Sequence, residues 1–112
     1  MNESLDKAFA ALSDPTRRAI LERLGAGDAS VSALAEPFSM SQPAISRHLK
    51  VLEDAGLIET ERVGQSRLRR LRPHGLGAAR AFIEDMGRYW PERFDRLQRF
   101  LDETGDSKDP AP

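Results

Sequence analysis

Cysteine does not occur among the 112 residues. Its absence excludes disulfides, thiolate metal ligands, thiol redox switches and cysteine nucleophiles together. No run of eighteen apolar residues exists to span a bilayer. The opening MNESLDKAF lacks the basic start and apolar stretch of a secretion signal, so the expectation is a cytoplasmic protein with no membrane partner. An excess of positive charge is also missing: the formal net charge is −1, which argues against a uniformly basic nucleic-acid coat. No GxSxG elbow, Walker loop, HExxH or paired-carboxylate pocket can be quoted, and the chain is small for a catalytic cleft. No enzyme is expected and no catalytic residue is assigned. Internal repeats and low-complexity tracts are absent too.

What is present is enough for one soluble domain, with 39% hydrophobic and 31% charged residues. SLDKAFAAL places Leu5, Phe9 and Leu12 on one helical face. In DPTRRAILERLGAG, Asp14 is a good N-cap, Pro15 suits the first turn, and Ile20, Leu21 and Leu24 form a stripe ended by Gly25 and Gly27. SVSALAEPF predicts a short third helix capped by Ser30 and stopped near Pro37. Ser41 can cap a fourth, in which Ile45, Leu49 and Leu52 share one side and Pro43, Arg47, Lys50 and Asp54 the other, with Ser46 at the flank. After Gly56, LIETERV and RLRRLR, parted by GQS, predict a hairpin. A long final helix runs from Gly75 to about Glu103, with Pro91 expected to kink or restart it. The expected fold is mainly α with a β-hairpin wing, about five helices and two short antiparallel strands. Residues 1–103 would form a single domain. From Asp102 onward the chain holds four acids and one lysine among Gly, Ser and Pro, and residues 104–112 would form a flexible tail.

Charge is unevenly spread. Residues 41–72 carry seven Arg or Lys against four acids, a local +3. A short helix, a tight turn and a polar-tipped second helix let an α-helix enter the major groove of double-stranded DNA, while a basic hairpin beside it lies along phosphates. Together these elements make a winged helix-turn-helix.

The segments ALSDPTRRAILERL and VSALAEPFSMSQPAISRHLKVLEDAGLIETERVGQSRLRRLRP resemble the ArsR-type family of bacterial winged-helix repressors, from about Ala8 to Pro73. The resemblance implies a homodimer paired through its first and last helices. It also implies repression at an inverted-repeat operator near the gene's own promoter. In such repressors the first turns of the fourth helix meet base edges, and those positions here hold Ser41, Gln42, Pro43, Ser46 and Arg47. Gln42 pairs with adenine and Arg47 with guanine in direct readout, while Pro43 is suited to a thymine methyl and Ser46 completes the set. Ser41, Lys50, Arg62, Arg67, Arg69 and Arg70 are the phosphate candidates. For the helix residues the alternative is a solvated face, and for the arginines an exposed strand. Leu5, Phe9 and Leu12, with Phe82, Met86, Trp90, Phe94 and Leu97, are the candidate dimer surface. Phe82, Tyr89, Trp90 and Phe94 could instead line a pocket for an unknown small-molecule effector. The rival for the whole chain is a winged helix that binds protein without specific DNA binding.

Metal sensing is not expected. Sensors of this type carry Cys-Val-Cys where this chain reads Ser30-Val31-Ser32, and a second type uses Asp and His on the last helix, which here has no histidine. No metal site and no cofactor are assigned. His48 falls beside the Ile45 and Leu52 stripe and reads as a partly buried structural histidine, with phosphate contact or ligation as alternatives; His74 reads as a cap of the last helix.

Overall fold

Each of the first four helices starts at a short polar side chain that accepts a hydrogen bond from its own first turn. In the computed structural model, which describes residues 2–104, Asn2 accepts from the Leu5 N–H at 3.1 Å to open α1 (Glu3–Leu12). Asp14 accepts from Arg17 at 3.0 Å to open α2 (Pro15–Gly25), Ser30 from Ala33 at 3.2 Å for α3 (Val31–Ala35), and Ser41 from Ala44 at 3.3 Å for α4 (Gln42–Asp54). Pro15 and Pro43 sit where their missing N–H would be unpaired anyway. Gly56, at φ 78°, ends α4 in a left-handed turn: its N–H donates to the Glu53 carbonyl at 2.9 Å and that of Leu57 to Leu52 at 3.0 Å.

The chain then enters a two-stranded antiparallel sheet, β1 (Ile58–Val63) and β2 (Ser66–Leu71). The hairpin turn is Gly64-Gln65 alone. Ser66 pairs with Val63, so the turn is one residue shorter than GQS and the register becomes Glu59 opposite Arg70, Thr60 opposite Arg69 and Arg62 opposite Arg67. A third piece of backbone joins the sheet: Ala29, just before α3, exchanges two hydrogen bonds with Arg69, at 2.8 and 3.0 Å. That bridge ties the wing to the helix-turn-helix and has no counterpart in the sequence reading. Gly75, between β2 and the last helix, passes so close to the α4 stop that a Cβ there would lie 2.6 Å from the Gly56 carbonyl oxygen.

The described residues divide into two compact units after Ala79. In the first, Ile20, Leu34, Ile45, Leu49, Leu52 and Ile58 are fully buried, so α2, α3, α4 and β1 all feed one core. Burying such a side chain is worth about 1.5 to 3 kcal/mol, and the expected stripe of α4 supplies half of the set. On α1 the small Ala8 and Ala11 are buried, while Leu5, Phe9 and Leu12 are half-buried against the core of their own chain. Part of the stripe assigned to a partner is therefore used internally, because two alanines let α1 settle close to α2 and α4.

The second unit is α5 (Gly77–Thr104) beyond its first three residues. The helix runs unbroken through Pro91 rather than restarting there. The Gly87 carbonyl that loses its partner lies in an exposed stretch, where water can serve it. Met86 is half-buried, whereas Trp90, Phe94 and Leu97 are 66%, 71% and 55% exposed. Among the described residues there are five helices and two strands, the winged helix-turn-helix architecture. Of the proposed tail, residues 105–112 lie outside the described residues.

Candidate nucleic-acid interface

Because Ile45, Leu49 and Leu52 pin one side of α4 into the core, helical periodicity forces Gln42, Pro43, Ser46, Arg47 and Lys50 outward, and all five are exposed. These residues share the face with their side chains differently committed. Arg47 has no acid partner among the described residues. Lys50 donates to Asp54 at 3.2 Å, one turn along. Gln42 Nε2 donates to the Ser32 Oγ on α3 at 3.1 Å, which leaves the amide oxygen of Gln42 directed elsewhere as an acceptor. Ser41 uses its hydroxyl oxygen as the cap of α4. Sequence reading missed the Ser32 brace; its only signal is a serine at the second position of α3.

The wing has two different faces. Side chains alternate along a strand, and the register gathers Arg62, Arg67 and Arg69 on one face with Ile58, Thr60 and Leu71. No acid belongs to that face of the sheet, although Thr60 at its inner end donates to Glu53 of α4 at 2.8 Å. The opposite face carries Arg70 among acids: its Nε is 3.4 Å from Glu59 and its Nη1 donates to Glu61. Arg72 also approaches Glu59, at 3.9 Å. The five arginines between Arg62 and Arg72 thus separate into three without acid partners among the described residues and two that are compensated. The turn length carries the signal: a two-residue turn puts Arg70 across from Glu59, and a three-residue one does not.

Behind α4, His48 is half-buried and points inward, with Nδ1 3.2 Å from the Arg17 guanidinium and 3.9 Å from Asp14. The Arg17 backbone N–H that donates to it holds the Asp14 carboxyl below its ordinary range, against a smaller opposing effect of burial. His74 is exposed; its carbonyl accepts from the Gly77 N–H at 3.0 Å at the start of α5. Among the described residues no group of three His, Asp or Glu side chains is placed to hold a metal ion, and no helix is long and apolar enough to cross a membrane. On α5, Trp90 and Phe94 line a shallow hollow with Arg93 and Leu97. A deeper apolar cleft of about 560 Å³ lies in the first unit, between Leu12, Leu21, Leu57, Leu71 and Leu76.

Comparison with known proteins gives one answer. A helix-turn-helix domain family matches residues 12–61. The HTH-type transcriptional regulator Rv2034 of Mycobacterium tuberculosis is 42% identical over 103 residues, 92% of this chain and 94% of that protein. The arsenical resistance operon repressor of Escherichia coli is 35% identical over 104 residues, 89% of each chain. Among solved structures, the ArsR family transcriptional regulator RHA00566 superposes with a TM-score of 0.72 at 40% identity, covering 80% of this chain and 92% of that one. With the wing, the helix-turn-helix and this likeness along most of its length, the chain belongs to the ArsR family of winged helix-turn-helix transcriptional regulators.

Proposed function

We propose that the protein is a sequence-specific double-stranded DNA-binding regulator, a homodimeric repressor of its own operon acting at an inverted-repeat operator. The observation that carries this reading is the exposed polar face of α4, held rigidly by a fully buried stripe on its other side. Gln42, Pro43, Ser46 and Arg47 read base edges. Arg62, Arg67 and Arg69, with Ser41 and Lys50, meet phosphates; Arg70 contributes less, its charge being met by Glu59 and Glu61. Repression is supported by the likeness to an operon repressor.

Dimerisation is supported by the apolar stripe of α5, in which Trp90, Phe94 and Leu97 are more than half exposed. Such a row on a water-soluble regulator marks an association surface. Phe82 and Met86 extend it along α5; in the first unit the half-buried Leu5, Phe9 and Leu12 are the further candidates for contact with a partner. Residues 1–103 then act as one DNA-binding unit, in the cytoplasm and with no cofactor. Two recognition helices related by a two-fold axis require half-sites about one helical turn apart, roughly 34 Å.

Selection of bound duplexes from a random pool tests the reading. It should yield a palindromic motif that recurs upstream of the gene, bound with an affinity that falls steeply with salt. Binding indifferent to sequence and to salt would instead favour a protein-interaction module.

A further inference from the structure

The Arg17 side chain leaves α2 and bonds two other helices. Its Nε donates to the Ala11 carbonyl at 2.8 Å and Nη2 to the Ala10 carbonyl at 3.1 Å, both in the last turn of α1, where Ala10 also accepts from the N–H and the hydroxyl of Ser13 at 3.2 and 2.6 Å. Its Nη1 lies 3.2 Å from Nδ1 of His48 on α4. A guanidinium has only donors and keeps its proton throughout the range in which proteins stay folded. The bond to His48 therefore needs a bare lone pair on Nδ1, which puts the imidazole proton on Nε2 and makes the ring neutral. His48 directly follows Arg47 and is rotated onto the packed side of the helix, so the bond links α4 to α1 and α2 through Arg17.

We propose that His48 is a positioning residue for DNA binding: while neutral it is latched by Arg17 to the end of α1 and the start of α2, and its protonation opens the latch and lowers operator affinity. The proposal rests on the reading that α4 enters the major groove.

A proton on Nδ1 would set a donor against a donor and a cation against a cation at 3.2 Å. The carboxylate 3.9 Å away, Asp14, would attract the imidazolium, but it is already the cap of α2. Pulling it toward the ring would loosen that cap and move the very turn that carries Arg17. The other elements packed on α4 bring no competing partner. α3 has no ionisable residue. On α1, Lys7 pairs with Glu3, and Asp6 makes no ion pair with the ring. On α2, Arg18 bonds the Leu12 carbonyl and Arg23 that of Gly27, while Glu22 lines the separate apolar cleft. On β1, Glu59 and Glu61 are held by Arg70, and Arg62 stands opposite Arg67. On α4 itself Lys50 and Asp54 pair with each other, Glu53 accepts from Thr60, and Arg47 is on the exposed side.

Added positive charge also strengthens binding to any DNA, so the informative quantity is the ratio of affinities for a selected duplex and a scrambled one. The full chain is titrated by fluorescence anisotropy at fixed ionic strength, at about pH 7.5 and about pH 5.5. The probes are a duplex that the wild type selects from a random pool at the higher pH and its scrambled counterpart. The wild-type ratio should fall about tenfold on acidification, the scale of one hydrogen bond to a charged group. In His48→Asn the amide oxygen stands near the position of Nδ1, accepts from Arg17 at both pH values and cannot be protonated. Its ratio should match the wild type at the higher pH and stay level. His48→Ala should show a low ratio at both.

A wild-type ratio that ignores pH, or a His48→Asn ratio that falls as steeply as the wild type's, overturns the latch and leaves the proposed function standing. Failure of the wild type to select any duplex overturns both. Nitrogen-15 shifts of the wild-type His48 ring give a readout that needs neither a variant nor DNA. They should show Nε2 protonated and Nδ1 bare at the higher pH, and a proton on Nδ1 there refutes the latch.

Discussion

Removing Arg67 and removing Arg70 should have different consequences, although the two lie three residues apart on one strand. Arg67 is exposed, stands opposite Arg62 near the hairpin tip and has no acid partner among the described residues. Arg70 is on the other face of the sheet with Glu59 at 3.4 Å and Glu61 in hydrogen-bonding contact. A cation that neutralises a phosphate adds about 0.9 to the slope of log K against log salt, so Arg67→Ala should flatten the slope by about 0.9 per protomer and about 1.8 for a dimer. At roughly 0.15 M salt that is about a fivefold loss of affinity per wing, or about thirtyfold for two wings engaged together. Arg70→Ala should leave the slope unchanged, because the charge it removes is already balanced inside the wing. Anisotropy titrations of both variants from about 50 to 200 mM salt, on the selected duplex, measure the two slopes directly. Circular dichroism should show that neither change disturbs the fold. If Arg70→Ala flattens the slope as much as Arg67→Ala does, the division of the wing into free and compensated faces is wrong.

Three further outcomes follow from the same structure. Leu52→Ala, at a fully buried position of α4, should destabilise the first unit by about 2 to 5 kcal/mol in urea unfolding, through lost transfer free energy and the cavity left behind. Trp90→Glu with Phe94→Glu places two charges on the exposed stripe of α5 and should convert a dimer to monomer in sedimentation at micromolar concentration; a wild type that is already monomeric contradicts the dimer surface. Micromolar zinc, cadmium or arsenite should leave operator affinity unchanged, since the chain has no thiol and its two histidines lie on separate elements. Chelator-reversible release of DNA would contradict that and direct attention to Glu84, Asp85, Glu92 and Asp95 on α5.

Much of the first unit was legible because local chemistry and tertiary packing agree there. Asp14, Ser30 and Ser41 each announce a helix start, Gly56 its end, and the spacing of Ile45, Leu49 and Leu52 fixes which face of α4 is left for DNA. What escaped sequence reading depends on contacts between distant segments. The Ala29–Arg69 bridge joins residues forty apart through backbone atoms alone, which no side-chain pattern encodes. The neutralisation of Arg70 turns on whether the hairpin turn has two residues or three, and a shift of one residue changes every cross-strand partner. The sequence pattern assigns no role to Arg17. Its role appears only when the end of α1 and His48 of α4 are brought to it. The stripe of α1 was read as one surface, yet Ala8 and Ala11 take its centre into the chain's own core.

The central claim is that the exposed face of α4 reads base sequence, and the most direct test is to repeat the random-pool selection with Arg47→Ala beside the wild type. The account expects the wild type to return a palindrome. The variant should return the same palindrome with preference relaxed at one base pair in each half-site, at a cost of about 1 to 3 kcal/mol on the wild-type operator. Identical motifs from the two proteins, with affinity merely scaled at every position, would contradict base readout by Arg47 and return α4 to the role of a solvated helix face.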